Sequence, residues 1–150
     1  MLPPRRVIRP PRWLKHLNRI FLVMRRAGGM RELHVLTVAG RVSGKPRSTP
    51  ITVVTLDANR YLLEGFPGAD WARNVRAAGG IAVVAVGREV EHVHLTELDP
   101  QAAVAILREW PTHAATGAGI MRDAGVVDDV SPDGFAELAG TCAVFQIDPA

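Results

Sequence analysis

A single cysteine, Cys142, stands in a chain of 150 residues. It has no internal partner, which excludes a disulfide scaffold and a Cys-based zinc module and points to a reducing, cytoplasmic setting. Aromatic residues are scarce, at 5% of the chain with one tyrosine, Tyr61. No apolar run approaches the about 20 residues needed to cross a bilayer, and the basic start leads into charge-interrupted sequence rather than an export signal. Hydrolase and nucleotide templates are missing too: there is no Gly-x-Ser-x-Gly elbow, no His-Glu-x-x-His and no Walker A loop. Acid is almost absent from residues 1–50, where Glu32 faces 12 Lys and Arg.

That last absence defines what is present. A net +3 is split into a basic first third, at +11, and a remainder at −8. An anionic partner therefore belongs on the basic third: a phosphorylated cofactor, a lipid surface or nucleic acid. Residues 1–11, with Pro3, Pro4, Pro10 and Pro11, read as a flexible basic tail. From Arg12 to Ala27, Trp13, Leu14, Leu17, Ile20, Phe21 and Met24 recur at helical spacing, with Gly28-Gly29 as the stop. Lys15, Arg19, Arg25 and Arg26 line the opposite face, so this amphipathic helix packs on its own domain or touches an anionic membrane.

The period then changes. Strands are expected at His34–Ala39, Ser48–Leu56, Arg60–Glu64, Ile81–Val86, Val90–Leu98 and Thr141–Ile147. Gly40–Arg47 is a turn, Asp57-Ala58-Asn59 a tighter one, and Gly65–Ala69 a loop. Asp70 is the expected N-cap of a helix from Trp71 to Ala77. Asp99-Pro100 opens a helix through Trp110, and Ser131-Pro132 a small one to Leu138. Residues 111–130 read equally as short helix or loop. About six mostly antiparallel strands with interspersed helices make an α+β domain over residues 12–150, with a strand count suited to a small barrel.

The segment richest in chemistry is Gly40-Arg41-Val42-Ser43-Gly44-Lys45-Pro46-Arg47. Glycines let backbone N–H groups approach an anion, Ser43 adds a hydroxyl, and Arg41, Lys45 and Arg47 supply charge-assisted hydrogen bonds of the kind phosphates take. His92 and His94 share a strand face, but no third ligand has suitable spacing, so no metal site is expected. His113 is a weak candidate for a proton donor.

Leu36 to Pro50, followed by Tyr61-Leu62-Leu63 and by Trp71-Ala72-Arg73-Asn74-Val75-Arg76-Ala77, resembles the deazaflavin-dependent nitroreductase family. Thr37, Gly40, Arg41, Ser43, Gly44, Lys45, Arg47, Thr49, Pro50, Trp71 and Asn74 fall on the family pattern, as does the closing Val144-Phe145-Gln146-Ile147. The resemblance spans about residues 30 to 147 and implies a split β-barrel holding coenzyme F-420, an 8-hydroxy-5-deazaflavin; relatives hold FMN, FAD, haem or another tetrapyrrole. By carry-over, Arg41, Ser43, Gly44, Lys45 and Arg47 hold the phosphodiester and acidic tail. Main-chain groups of Pro50, Ile51 and Thr52 line the ring, and Gly65, Phe66, Gly68, Trp71 and Asn74 close the other side. The implied activity is hydride transfer from the reduced coenzyme to a small electron-poor acceptor, a quinone, enone or nitro compound.

The chain departs from nitroimidazole-reducing members in lacking late tyrosines; residues 111–130 offer Thr112, His113, Thr116, Met121, Arg122 and Asp123 instead. Two other classes are compatible with the sequence. One is a non-catalytic flavin, haem or tetrapyrrole carrier on the same barrel. The other is an electrostatic binder, through residues 1–50, of nucleic acid or anionic membrane. The want of aromatics among the basic residues argues against nucleic acid, and membrane contact would run through residues 1–27. The chain is expected as a monomer or homodimer.

Overall fold

The computed structural model describes residues 34–150; the expected tail 1–11 and helix 12–27 lie outside them. Seven strands form one sheet: β1 His34–Ala39, β2 Pro46–Ile51, β3 Val54–Leu56, β4 Asn59–Leu63, β5 Ile81–Val86, β6 Glu89–Glu97 and β7 Val144–Pro149. Four helices accompany them: α1 Asp70–Ala77, α2 Pro100–His113, α3 Ala115–Asp123 and α4 Pro132–Ala136. The strand order is β2-β1-β5-β6-β7-β4-β3, and the pairings are antiparallel.

The expected single strand Ser48–Leu56 is two strands. β2 ends at Ile51 and β3 starts at Val54, and they occupy opposite edges of the sheet. Thr52 and Val53 alone connect them, a reach of at most about 11 Å. The sheet must therefore curl until its edges meet, which makes a barrel that splits where β2 and β3 part. Thr-Val is strand-forming sequence, so the break leaves no local mark and a sheet of about six strands becomes one of seven. The last strand also begins later than expected, at Val144 rather than Thr141.

Alternation along the strands builds two cores. Leu36, Val38, Leu62, Val84, Val93, Leu95, Phe145 and Ile147 point into the barrel with Ala72 and Val75 of α1. Val54, Tyr61 and Val144 point the other way, against Leu107, Trp110, Met121, Phe135 and Leu138 of the helical layer. β7 is buried on both faces, with Val144 toward the helices and Phe145 and Ile147 inside. Each such fully buried apolar side chain contributes roughly 1.5–3 kcal/mol.

The Asp99 carboxylate accepts the Ala102 N–H at 2.9 Å and caps α2 as expected. The helix then runs past its expected end at Trp110, through Pro111 to His113. The proline forfeits one hydrogen bond near the C-terminus, where little helix remains to break, and its ring is buried. Residues 111–130 resolve into the end of α2, the helix α3 and a loop.

The β3–β4 hairpin turns at Asp57 and Ala58, both with positive φ, at 49° and 67°. A type I′ turn demands this of both residues, and a left-handed non-glycine residue costs about 1–2 kcal/mol. Ala58→Gly should raise stability by about 0.5–1 kcal/mol, once the entropy of the added glycine is counted. A urea titration at unchanged m-value checks it.

Candidate coenzyme site

The loop between β1 and β2 is built from its own backbone. The Gly40 N–H bonds the Lys45 carbonyl and the Gly44 N–H bonds the Gly40 carbonyl, each at 2.8 Å. Gly44 has φ 73°, a conformation that favours glycine. The Ser43 hydroxyl accepts the Lys45 N–H at 3.2 Å. The N–H groups of Gly44 and Lys45 therefore turn inward, where the sequence suggested main-chain donors for an anion. What the loop presents outward is side chains.

Arg41 is committed to α1. Its backbone N–H and guanidinium both donate to Asn74 Oδ1, at 3.1 and 2.8 Å, and Nη2 pairs with Asp70 at 3.2 Å. Asn74 is 5% exposed, so its carbonyl is a buried acceptor fully used by one residue. Asp70 is not the N-cap it was expected to be: Ala69 holds that place with no side-chain bond, and Asp70 opens the helix. There its charge suits the helix dipole and remains available to Arg41. Lys45 and Arg47, by contrast, are exposed. No described acidic residue pairs with either. Arg73, on the solvent side of α1 one turn from Asp70, is a third such cation that the sequence did not single out.

β2 is an edge strand. Pro46 and Pro50 have no N–H to give, so their nitrogens must face away from β1 for the ladder to hold. Among the described residues nothing pairs with that edge, which consequently presents the carbonyls of Pro46, Ser48 and Pro50 and one strand N–H, that of Ser48. Pro50 and Ile51 lie at its end, opposite Val35 and His34, and Thr52 follows in the crossing to β3.

The other expected residues divide. Trp71, half-buried, meets Phe145 with ring centroids 5.6 Å apart at the α1 end of the barrel. Gly65 and Phe66 face the helical layer instead. A Cβ on Gly65 would lie 3.3 Å from Met121 Sδ, so its bareness lets α3 approach, and Phe66 packs on the second core. Gly68 sits with φ 82° in the loop before α1. His113 ends α2, 41% exposed, with Nε2 3.8 Å from Glu109. His92 and His94 stand on the outer face of β6, and His94 Nε2 bonds the Gly79 carbonyl at 3.1 Å. Among the described residues no three His, Cys, Asp or Glu gather as a metal site, and no helix is long and apolar enough to cross a membrane. Cys142 is buried just ahead of β7.

Charge closes both ends of the barrel. On the inner face, Arg60 grips Glu91 through two hydrogen bonds of 2.8 Å. At the α1 end, Arg76 donates to Glu97 and lies 3.6 Å from Glu64. The Arg60 hydrogen bond pulls the Glu91 carboxyl below its ordinary 4.5, with the Arg60 charge adding to it against desolvation. Burial opposes the Arg76 charge, but the bond to Glu97 and the charge of Glu64 outweigh it and hold the guanidinium above its usual value.

A lowered carboxylate stabilises the fold above the unfolded pKa and loses that contribution as pH falls through the folded one. Glu91→Gln should therefore cost about 1 kcal/mol at pH 7, allowing for solvent screening of a half-exposed pair. The gap from wild type should shrink steadily below pH 4.5. Urea midpoints across pH read it.

The fold is a split barrel, and the loop between β1 and β2 exposes cations whose chemistry suits an anionic ligand. The family described as F-420H(2)-dependent quinone reductase matches residues 20–123. The chain belongs to this family: it is an F-420-dependent reductase, and its cofactor is coenzyme F-420. Solved structures share the fold at low identity. One, described as a domain-swapped dimer, is 19% identical at TM-score 0.55, over 91% of this chain and 97% of its own. Another, an F-420H(2)-dependent reductase (FDR-A), is 19% identical at TM-score 0.52, over 79% and 95%. A pyridoxamine 5'-phosphate oxidase-related, FMN-binding protein from Nostoc punctiforme is 13% identical at TM-score 0.50, over 93% and 81%. No curated protein matches the chain.

Proposed function

We propose that the chain transfers a hydride from reduced F-420 to a quinone, with Lys45 and Arg47 holding the coenzyme's phosphodiester and acidic tail. The observation that carries the reading is the pair itself: two exposed cations beside one loop, with no acidic partner among the described residues. Their donor chemistry fits an anionic, phosphate-bearing group. Arg73 extends the positive field, and Ser43 retains a hydroxyl proton to donate. Arg41 and Asn74 fix the loop on α1, while the end of β2 at Pro50 and Ile51, with the outward carbonyl of Pro50 and with Thr52 beyond, lines one side of the ring. Trp71 bounds the other.

When bound, the reduced coenzyme supplies a hydride to an electron-poor acceptor. The protein's own part is to orient and to polarise. The family description favours a quinone over an enone or a nitro compound as acceptor. The test is anaerobic oxidation of reduced F-420 by a short-chain naphthoquinone, a cyclic enone and a nitroaromatic, each at matched concentration. Quinone turnover at least about tenfold faster by kcat/KM supports the assignment. Preference for either other acceptor overturns the quinone, and no turnover with any of the three overturns the reading. A homodimer, cytoplasmic and built from one domain over residues 12–150, completes the proposal; its mass in solution by light scattering checks the dimer.

A further inference from the structure

We propose that Glu64, Arg76 and Glu97 position the coenzyme site through α1, an inference that rests on the function proposed above. The helix carries Trp71 and Asn74 and is tied down at both ends. Its first turn is joined to the β1–β2 loop through Arg41. Its last turn is joined to the barrel mouth through Arg76, which reaches Glu97 of β6 at 3.0 Å through Nε and Glu64 beyond β4 at 3.6 Å.

Glu64 is 0% exposed and is itself fixed. Its N–H bonds the Ala143 carbonyl at 2.8 Å, and its Oε1 accepts the Ala143 N–H at 3.4 Å. The Arg76 guanidinium also stands 5.6 Å from the centre of the Phe145 ring, the ring that Trp71 meets from α1. One aromatic ring is thus gripped by a cation from the end of the helix and an indole from its start.

An ion pair with one buried member, here Glu64, gives little net stability over an apolar plug of the same shape. It does give direction: a planar fork between two carboxylates is satisfied in one placement of the helix, and sliding or rolling α1 breaks it. The helix face that meets the coenzyme is set by that placement. None of the three residues touches the cations of the loop, so theirs is a positioning role.

The experiment compares wild type with Arg76→Gln, Arg76→Lys and Glu97→Gln, each confirmed folded well below its Tm. Binding of oxidised F-420 is followed by tryptophan quenching. In the coenzyme-free proteins, amide hydrogen exchange is read across residues 71–78. Arg76→Gln should raise Kd by about tenfold or more, the size of effect expected for residues that orient direct ligands. Arg76→Lys should recover little of this, because a point charge cannot replace the fork. Exchange in α1 should quicken by about tenfold while β5 stays protected. Combined with Asn74→Ala, the Arg76→Gln effect should be less than multiplicative, since both act through one helix.

A lower Tm with unchanged Kd and unchanged α1 exchange would make the network a strut and overturn the proposal. If wild type binds F-420 and Arg76→Gln binds it equally well, the positioning role alone fails. If wild type binds none, the functional reading fails and takes the proposal with it. Should Arg76→Gln not fold, Glu97→Gln at the partly exposed rim carries the same comparison, with about a threefold rise in Kd expected.

Discussion

Replacing Lys45 and Arg47 together by alanine should weaken binding of F-420 by at least about 100-fold, with little change in unfolding free energy. Each side chain is exposed and has no acidic partner among the described residues, so its removal leaves no buried group unsatisfied. A charge-assisted hydrogen bond to phosphate or carboxylate contributes about 1.5–3 kcal/mol, and two of them suffice for the stated loss. Wild-type affinity should fall as salt rises, and the double variant should show a flatter dependence. Arg41→Ala makes an instructive contrast. Its guanidinium is spent on Asn74 and Asp70, so removal should both weaken binding and lower stability by about 1–2 kcal/mol, the cost of an ill-satisfied buried acceptor. Equal losses of affinity with no loss of stability in both variants would show that Arg41 contacts the coenzyme directly. Fluorescence titration and urea unfolding on the same samples separate these outcomes.

The second large effect concerns the two cores. Phe145→Ala and Phe135→Ala each remove a fully buried ring, at 1% and 0% exposure, and each should cost about 3–5 kcal/mol. That is a large share of the 5–15 kcal/mol typical of a domain this size. Their functional consequences should differ. Phe145 lies inside the barrel, between Trp71 and Arg76, so its loss should loosen α1 and raise the Kd for F-420 by tenfold or more in the fraction still folded. Phe135 belongs to the helical layer on the far side of β7 and should leave that Kd within about twofold. Urea midpoints together with coenzyme titration at low temperature test the pair. Equal effects on binding would mean that the two cores do not act separately on the site.

The parts of this fold that follow local rules were legible. His34–Ala39 and Ile81–Val86 are strands between the expected residues, because β-rich sequence ends there in glycine. Asp99-Pro100 and Ser131-Pro132 open helices at the expected places. What escaped were the arrangements that depend on distant partners. Asp70 has the local chemistry of a cap, but Arg41, 29 residues earlier, claims its carboxylate. The acids Glu91 and Glu97 flank Val93 and Leu95 on the inner face of β6, where a sequence reading would put charge outside. They are tolerated there because Arg60 and Arg76, 31 and 21 residues away, meet them. Within the expected site, the cationic loop and its link to Asn74 through Arg41 emerged together, whereas Gly65 and Phe66 turned to the helical layer. Glycine-rich composition suggested main-chain donors, yet the loop uses three of those N–H groups, of Gly40, Gly44 and Lys45, to hold its own shape.

The place of β7 bears on how the protein is made. It is the last strand described, yet it lies in the middle of the sheet, between β6 and β4. The strands on its two sides have no other neighbour across that gap, and its pairing with β4 spans more than eighty residues. A chain emerging from the ribosome can form the β1–β2 and β5–β6 hairpins early, since their partners are near in sequence. The barrel cannot close until residues 144–149 have cleared the exit tunnel. Until then Leu62, Leu95 and the rest of the inner face stay open to water, so nascent chains stalled before residue 144 should be clients of holding chaperones and should retain no coenzyme.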